Sequence, residues 1–205
     1  MSEVNVIIND RKIKAKEGQT ILEAAESVGI EIPTLCHHEK LAPYGACRLC
    51  TVEIFRGQRS RLVTSCGYLV EDGLVVKTES KPVAEGRKMI LELLWARAPG
   101  VQVLRDYGMK YGMDMTKYDV APTFCIVCGL CVRYCAEVKK KNAIGFIGRG
   151  TERTVMFFPE IASKECPKCG ECFAICPTGV LPSNYALDRV PHFNWPGNPF
   201  YEFHK

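Results

Sequence analysis

FCIVCGLCVRYCAEV, residues 124–138, and CPKCGECFAICP, residues 166–177, carry the same pattern. Each contains C-x2-C-x2-C-x3-C, formed by Cys125, Cys128, Cys131 and Cys135 in the first and by Cys166, Cys169, Cys172 and Cys176 in the second. Chains that hold two 4Fe–4S clusters use this spacing. In them the first three cysteines of a run bind one cluster and the fourth binds the other. The expected sets are therefore crossed: Cys125, Cys128, Cys131 and Cys176 for one cluster, and Cys166, Cys169, Cys172 and Cys135 for the second. Crossed ligation locks the two halves together and keeps the clusters close. The second run ends in Cys176-Pro177, whereas the first ends in Cys135-Ala136, which alters local packing without removing a ligand.

Zinc fits these runs poorly. Tetrahedral zinc sites take pairs of C-x2-C separated by longer loops, often with His, not three cysteines at regular intervals. Gly129 and Gly170 follow the second cysteine of each run, where a residue free to adopt positive φ lets the backbone approach a cluster. Between the runs, residues 143–147 and 154–158 read as a hairpin around Gly148-Arg149-Gly150. The glycines there have the wrong spacing for a dinucleotide site, and no helix follows them.

The other four of the twelve cysteines are Cys36, Cys47, Cys50 and Cys66, spaced C-x10-C-x2-C-x15-C. Four thiolates from one loop and a later strand suit a 2Fe–2S cluster, although a four-cysteine zinc site has the same ligands. Pro43, Gly45 and Ala46 crowd the loop with small residues, which lets backbone N–H groups reach the sulfurs. His37 and His38 do not make a Rieske centre, because no second Cys-x-His half exists nearby. Around this set, Val4, Val6 and Ile8 alternate as in a strand, and Asn9-Asp10 turns the chain into a second strand through Ile13 and Ala15. Thr20 and Glu23 form a capping box ahead of the apolar face Ile21, Leu22, Ala25 and Val28. Further strands are expected at residues 51–55, 62–64 and 74–76. The expected fold class is α+β, with an N-terminal β-grasp 2Fe–2S ferredoxin-like domain and a C-terminal 4Fe–4S dicluster domain.

Between the cysteine sets, residues 67–124 contain neither Cys nor His. Ser80 and Pro82 open a helix, and Val83, Arg87, Ile90, Leu91 and Leu94 mark its inner side, which Met89 and Leu93 widen. A shorter helix is expected over residues 101–111, ended by Gly112. The division into domains follows: a 2Fe–2S domain at 1–79, a helical connector at 80–118, a dicluster domain at 119–186 and a tail rich in Pro and aromatics at 187–205.

The formal charge of the 205 residues is +4 with every cysteine counted neutral. Three oxidised clusters, each with four thiolates, would add about −6 and bring the loaded protein to roughly −2. The lysines and arginines thus offset cluster charge, and nothing indicates a nucleic-acid partner. No apolar run is long enough to span a membrane. The N-terminal residues lack the pattern of a signal peptide, so a reducing, cytoplasmic setting is expected, where metal binding is favoured over disulfides.

PTLCHHEKLAPYGACRLCTVE (Pro33 to Glu53), Val76-Lys77-Thr78, Arg87-Lys88-Met89-Ile90 and FCIVCGLCVRYCAEV together resemble the N-terminal iron–sulfur region of the large iron–sulfur subunit of respiratory NADH dehydrogenase. They are also similar to the small diaphorase iron–sulfur subunit of NAD-reducing hydrogenases and to the N-terminus of [FeFe] hydrogenases. Those relatives carry a further cluster held by one His and three Cys after the long helix. Ala96-Arg97-Ala98-Pro99 stands there in this chain, without those ligands. The resemblance implies an electron-transfer subunit that relays single electrons between a flavoprotein oxidising or reducing NAD(P)H and a second redox subunit, a hydrogenase or another oxidoreductase. No nucleophile–base pair is present, so no catalysis is expected of the chain alone. A free-standing soluble carrier of the ferredoxin type is the alternative.

Overall fold

The computed structural model describes residues 2–120 and 123–188. The tail from residue 189 onward lies outside the described residues. The chain divides into two compact units, Met1–Leu130 and Cys131–Lys205.

The first unit begins with strands β1 (Glu3–Ile8) and β2 (Arg11–Lys16), an antiparallel hairpin. Asn9 and Asp10 both take positive φ at its turn, a geometry that Asn and Asp tolerate. Helix α1 (Ile21–Glu26) follows, and its capping box forms as the sequence predicts. The Glu23 amide donates to Thr20 Oγ1 at 3.2 Å, and the Thr20 amide donates to Glu23 Oε2 at 2.7 Å. Strands β3 (Thr51–Arg56), β4 (Arg59–Thr64) and β5 (Leu74–Lys77) complete a five-stranded sheet in the order β2-β1-β5-β3-β4. Only the β1–β5 pairing is parallel. Val6, Ile8, Ile21, Leu22, Val52, Ile54, Leu74 and Val76 fill the core between sheet and helix. Burial of each such side chain stabilises by roughly 1.5–3 kcal/mol. Cys50 and Cys66 belong to this same core.

Helix α2 (Lys81–Arg97) and helix α3 (Gln102–Tyr111) also lie in the first unit. The α2 stripe Val83, Arg87, Leu91 and Trp95 is buried at i, i+4 spacing. Two sequence expectations fail here. Met89 and Leu93 do not widen the inner side; they are 55% and 53% exposed. Ser80 sits at the N-cap but makes no capping bond, and its hydroxyl is enclosed without a partner among the described residues. The helix start therefore rests on Pro82, whose fixed φ suits the first turn.

Arg87 is fully buried. Its guanidinium donates to the Thr51 carbonyl at 2.8 Å, to Tyr111 Oη at 2.6 Å and to Glu79 Oε1 at 3.0 Å. One side chain thus ties α2 to β3, to α3 and to the loop before α2. Farther along α2, Glu92 is buried and accepts from Lys117 Nζ at 2.5 Å. Near the end of α2, Arg97 Nε donates to the Cys125 carbonyl at 2.9 Å.

Helix α4 (Leu130–Arg133), in the second unit from Cys131 onward, runs on into a π-helical turn over Tyr134–Val138. Strands β6 (Ile144–Ile147) and β7 (Thr154–Phe157) form the expected hairpin. Helices α5 (Pro159–Glu165), α6 (Glu171–Ala174) and α7 (Leu181–Asp188) follow. Phe157, Phe173 and Tyr185 pack together, with ring centroids 5.1 to 6.1 Å apart and Phe157 edge-on to the other two.

Arg87→Ala leaves three polar partners of the guanidinium unmet and opens a void. It is expected to cost about 3 kcal/mol or more, read as a lower urea midpoint. Arg87→Lys, which keeps the charge without the fork, should fall between the two.

Candidate metal centres

Cys36, Cys47, Cys50 and Cys66 converge in the first unit, and all four are at most 4% exposed. The short helix α1 and the β3–β4 hairpin set their positions. Cys50 immediately precedes β3, and Cys66 follows β4 by two residues. The thiols pair, Cys47 donating to Cys36 and Cys66 to Cys50. This hydrogen bonding lowers Cys36 to about 6, helped by the amides of Cys47 and Ala46. Cys50 likewise falls to about 6, held down mainly by the Cys66 thiol. The donors Cys47 and Cys66 are pushed far up, by giving their protons and by burial. Cys36 acts electrostatically on both Cys50 and Cys66, so the four form one group rather than two isolated pairs.

Backbone amides converge on the same sulfurs. The Cys47 amide lies 3.4 Å from Cys36 Sγ, and the Gly45 amide reaches Cys66. Gly45 has φ +68°, which turns its N–H inward without steric cost. The small residues noted in this loop thus do what their size allows. Ser65 is a feature that the sequence reading missed. It is fully buried, lies beside Cys50 and meets no nitrogen or oxygen partner among the described residues. A buried hydroxyl without an oxygen or nitrogen acceptor is costly in a protein interior, and sulfur at this site gives it one. Four buried thiols, inward amides and a buried hydroxyl beside Cys50 fit an anionic iron–sulfur centre. His37 and His38 are half-buried in the adjacent loop, and His38 Nδ1 accepts from the Lys40 amide at 3.1 Å.

In the second unit, Cys135, Cys166, Cys169 and Cys172 line one cavity. Cys135 acts electrostatically on both Cys166 and Cys172, and the Ala143 amide donates to Cys135 Sγ at 3.2 Å. Burial raises Cys166 and pushes Cys172 up to about 12. Cys176 is not among the lining residues; its Sγ lies 3.5 Å from Thr178 Oγ1. The cavity therefore gathers the fourth cysteine of the first run with the first three of the second. Two ion pairs, Lys139 with Glu171 and Lys141 with Glu165, stand at its edge. Tyr134 Oη also donates to Glu171, at 2.9 Å.

The two runs differ in shape for a local reason. Pro177 has no amide, and α6 stops at Ala174. Ala136 keeps its amide, so the helix continues past Cys135 as a π turn, a form that recurs at functional sites. The departure from Cys-Pro thus reshapes the backbone around Cys135 and leaves its sulfur in the cavity.

Cys125 and Cys128, at the end of the first unit, are buried. The Val127 amide lies 3.4 Å from Cys125 Sγ, with Val127 at φ +53°. A β-branched residue in the left-handed region is strained, and such strain gathers at binding loops. Cys131, also buried, begins the second unit. None of the twelve cysteines is in a disulfide.

Comparison with known proteins agrees with this order of sites. A 2Fe-2S iron-sulfur cluster binding domain matches residues 1–81, and a 4Fe-4S dicluster domain matches residues 124–180. A subunit of the NADH-quinone oxidoreductase of Rhizobium meliloti is 34% identical over 207 residues, covering 88% of this chain and 24% of the relative. The alpha subunit of the NADPH-Fe(3+) oxidoreductase of Geobacter sulfurreducens is 34% identical over 203 residues, covering 87% of this chain and 24% of its own length. The chain thus spans about a quarter of these curated relatives. Among solved structures, a chain of NAD+-reducing [NiFe]-hydrogenase in the H2-reduced state aligns with TM-score 0.73 and 27% identity, over 86% of this chain and 85% of that one. Over most of its length the chain is homologous to a part of these NADH-quinone and NADPH-Fe(3+) oxidoreductase subunits, with a 2Fe–2S domain ahead of a 4Fe–4S dicluster domain.

Proposed function

We propose that the protein is the iron–sulfur electron-transfer subunit of a cytoplasmic multi-subunit oxidoreductase. It relays single electrons between a flavin- and NAD(P)H-linked partner and a second redox subunit. The observation that carries this reading is the order of three cysteine quartets, one in a β-grasp domain and two in a dicluster repeat, in a homologue of NADH oxidoreductase subunits. No helix among the described residues is long and apolar enough to cross a membrane.

Cys36, Cys47, Cys50 and Cys66 hold one 2Fe–2S cluster. Cys135, Cys166, Cys169 and Cys172 hold one 4Fe–4S cluster, supported by their shared cavity. Cys125, Cys128, Cys131 and Cys176 hold the other, supported by the spacing of the repeat. Residues 1–79, 80–118 and 119–186 serve as 2Fe–2S module, helical connector and dicluster module, with 187–205 as a tail. Each cluster, when bound, accepts and returns one electron, and the redox chemistry belongs to it. The chain's own residues supply thiolates, exclude water and aim amide dipoles at the sulfurs, which sets the potential.

Native purification should bring down a flavoprotein, identified by mass spectrometry. Migration as a lone monomer would point instead to a diffusing ferredoxin-type carrier. EPR of the reduced protein should show one 2Fe–2S signal and two interacting 4Fe–4S signals. Cys135→Ser should deplete the cluster of Cys166, Cys169 and Cys172, and Cys176→Ser the cluster of Cys125, Cys128 and Cys131. The reverse outcome would make the crossed assignment wrong. Ser65→Ala removes a donor that favours the more negative, reduced cluster. The 2Fe–2S potential should fall by tens of millivolts, with iron content unchanged.

A further inference from the structure

The wall of the 2Fe–2S loop opens to the surface through a groove of about 490 Å³. Cys66, itself 2% exposed, lies on its lining, so the groove leads to a ligand of the N-terminal quartet. Arg48 and Arg61 stand on its walls, Tyr44 and Tyr68 flank them, and no carboxylate lines it. Arg48 is exposed and makes no ion pair or side-chain hydrogen bond among the described residues. Arg61 is held over the Tyr68 ring at 5.6 Å and donates to Tyr68 Oη at 3.3 Å. It has no acidic partner among the described residues. Glu71, a carboxylate near Tyr68, is taken by Arg56 at 2.5 Å. Arg59 shares the Arg61 face of β4 and extends the positive edge.

Arginines on an edge strand also discourage strand pairing, which is a sufficient reason for Arg59 and Arg61 alone. It does not cover Arg48, which lies between two cysteines of the loop and holds φ +61°. Strained backbone at an exposed cation beside a cluster loop marks a functional position rather than a packing one. The groove is open and has no glycine-rich phosphate loop or long-helix N-terminus on its lining. Its chemistry is that of a protein interface: arginine forks and aromatic faces, waiting for carboxylates.

We infer that this groove is the docking face through which the N-terminal cluster exchanges electrons with a redox protein whose contact edge is acidic. The inference rests on the electron-transfer reading above and names the face and the partner's charge. Charge complementarity of this kind steers encounter and makes the rate fall with salt. The site takes an electron and no atoms. One reduced iron centre is oxidised, or the reverse, as its partner changes by one electron.

The test uses the whole cluster-loaded protein and two variants, Arg61→Glu alone and Arg48→Asp with Arg61→Glu. Asp tolerates the left-handed backbone at position 48, and the 2Fe–2S EPR and circular dichroism spectra check that the cluster is intact. Oxidation of the dithionite-reduced 2Fe–2S centre is followed by rapid-freeze EPR with ferricyanide, an anion, and with hexaamminecobalt(III), a cation. The double variant should lose about tenfold in rate with ferricyanide, gain with the cobalt complex, and show a weaker salt dependence. It should also retain less of the co-purifying flavoprotein at low salt. The single variant should lie between it and the wild type. Wild-type rates with both probes, or wild-type retention of the flavoprotein, would overturn the groove assignment. Tight binding of NAD(P)H that the double variant abolishes would overturn it in favour of a nucleotide site. A wild-type protein that captures no flavoprotein would defeat the subunit reading, while the two small oxidants still decide the groove.

Discussion

A single buried guanidinium organises the first unit. Arg87 has no solvent to stabilise its charge, so its three acceptors have to be in place together. One is a main-chain carbonyl next to Cys50, and another ends α3. The charge cannot be left unpaired at this depth without several kcal/mol of penalty. The β-grasp sheet, the long helix and the short helix are therefore not independently adjustable. An interior of apolar side chains alone would tolerate small slips between them; a three-way fork does not.

The cysteine thiols are part of that same arrangement. Cys50 and Cys66 sit in the hydrophobic core rather than on an appended loop. Burial disfavours every thiolate, and the site answers with local hydrogen bonds and amide dipoles. The same trade recurs in the second unit, where burial raises Cys166 and Cys172 and two lysines stand at the cavity edge. Core packing and the candidate metal centre thus draw on the same residues. A change that loosens one is felt by the other.

Much of this was legible in the residues. Cysteine spacing pointed to the sulfurs that gather at Cys36, Cys47, Cys50 and Cys66 and in the cavity of Cys135, Cys166, Cys169 and Cys172. Thr20 with Glu23, Asn9-Asp10 and the alternation of Val4, Val6 and Ile8 gave local structure, since each acts within a few residues. What periodicity missed was tertiary. Periodicity set Arg87 on the inner side of α2, but its partners, the Thr51 carbonyl, Tyr111 and Glu79, come from elsewhere in the fold. Met89 and Leu93 are apolar yet lie on an exposed side of α2. Ser80 has the right identity for a cap and the wrong surroundings. Ala136 looked like a small departure, yet its amide lets the helix run on through Cys135.

Helix α2 touches the chain beside a cysteine at two points, near its middle and at its C-terminal end. Arg87 holds the backbone just past Cys50, and Arg97 holds the carbonyl of Cys125. The ten helical steps from Arg87 to Arg97 make about 15 Å of rigid rod. Its outward side chains are open to replacement, but its length is not. Deleting one residue would shorten the rod by about 1.5 Å and swing Arg97 by about 100° around the axis, off its carbonyl. Reach and bearing would fail together, so this span behaves as a gauge block. Its composition can drift, while its residue count is fixed by the two loops it separates.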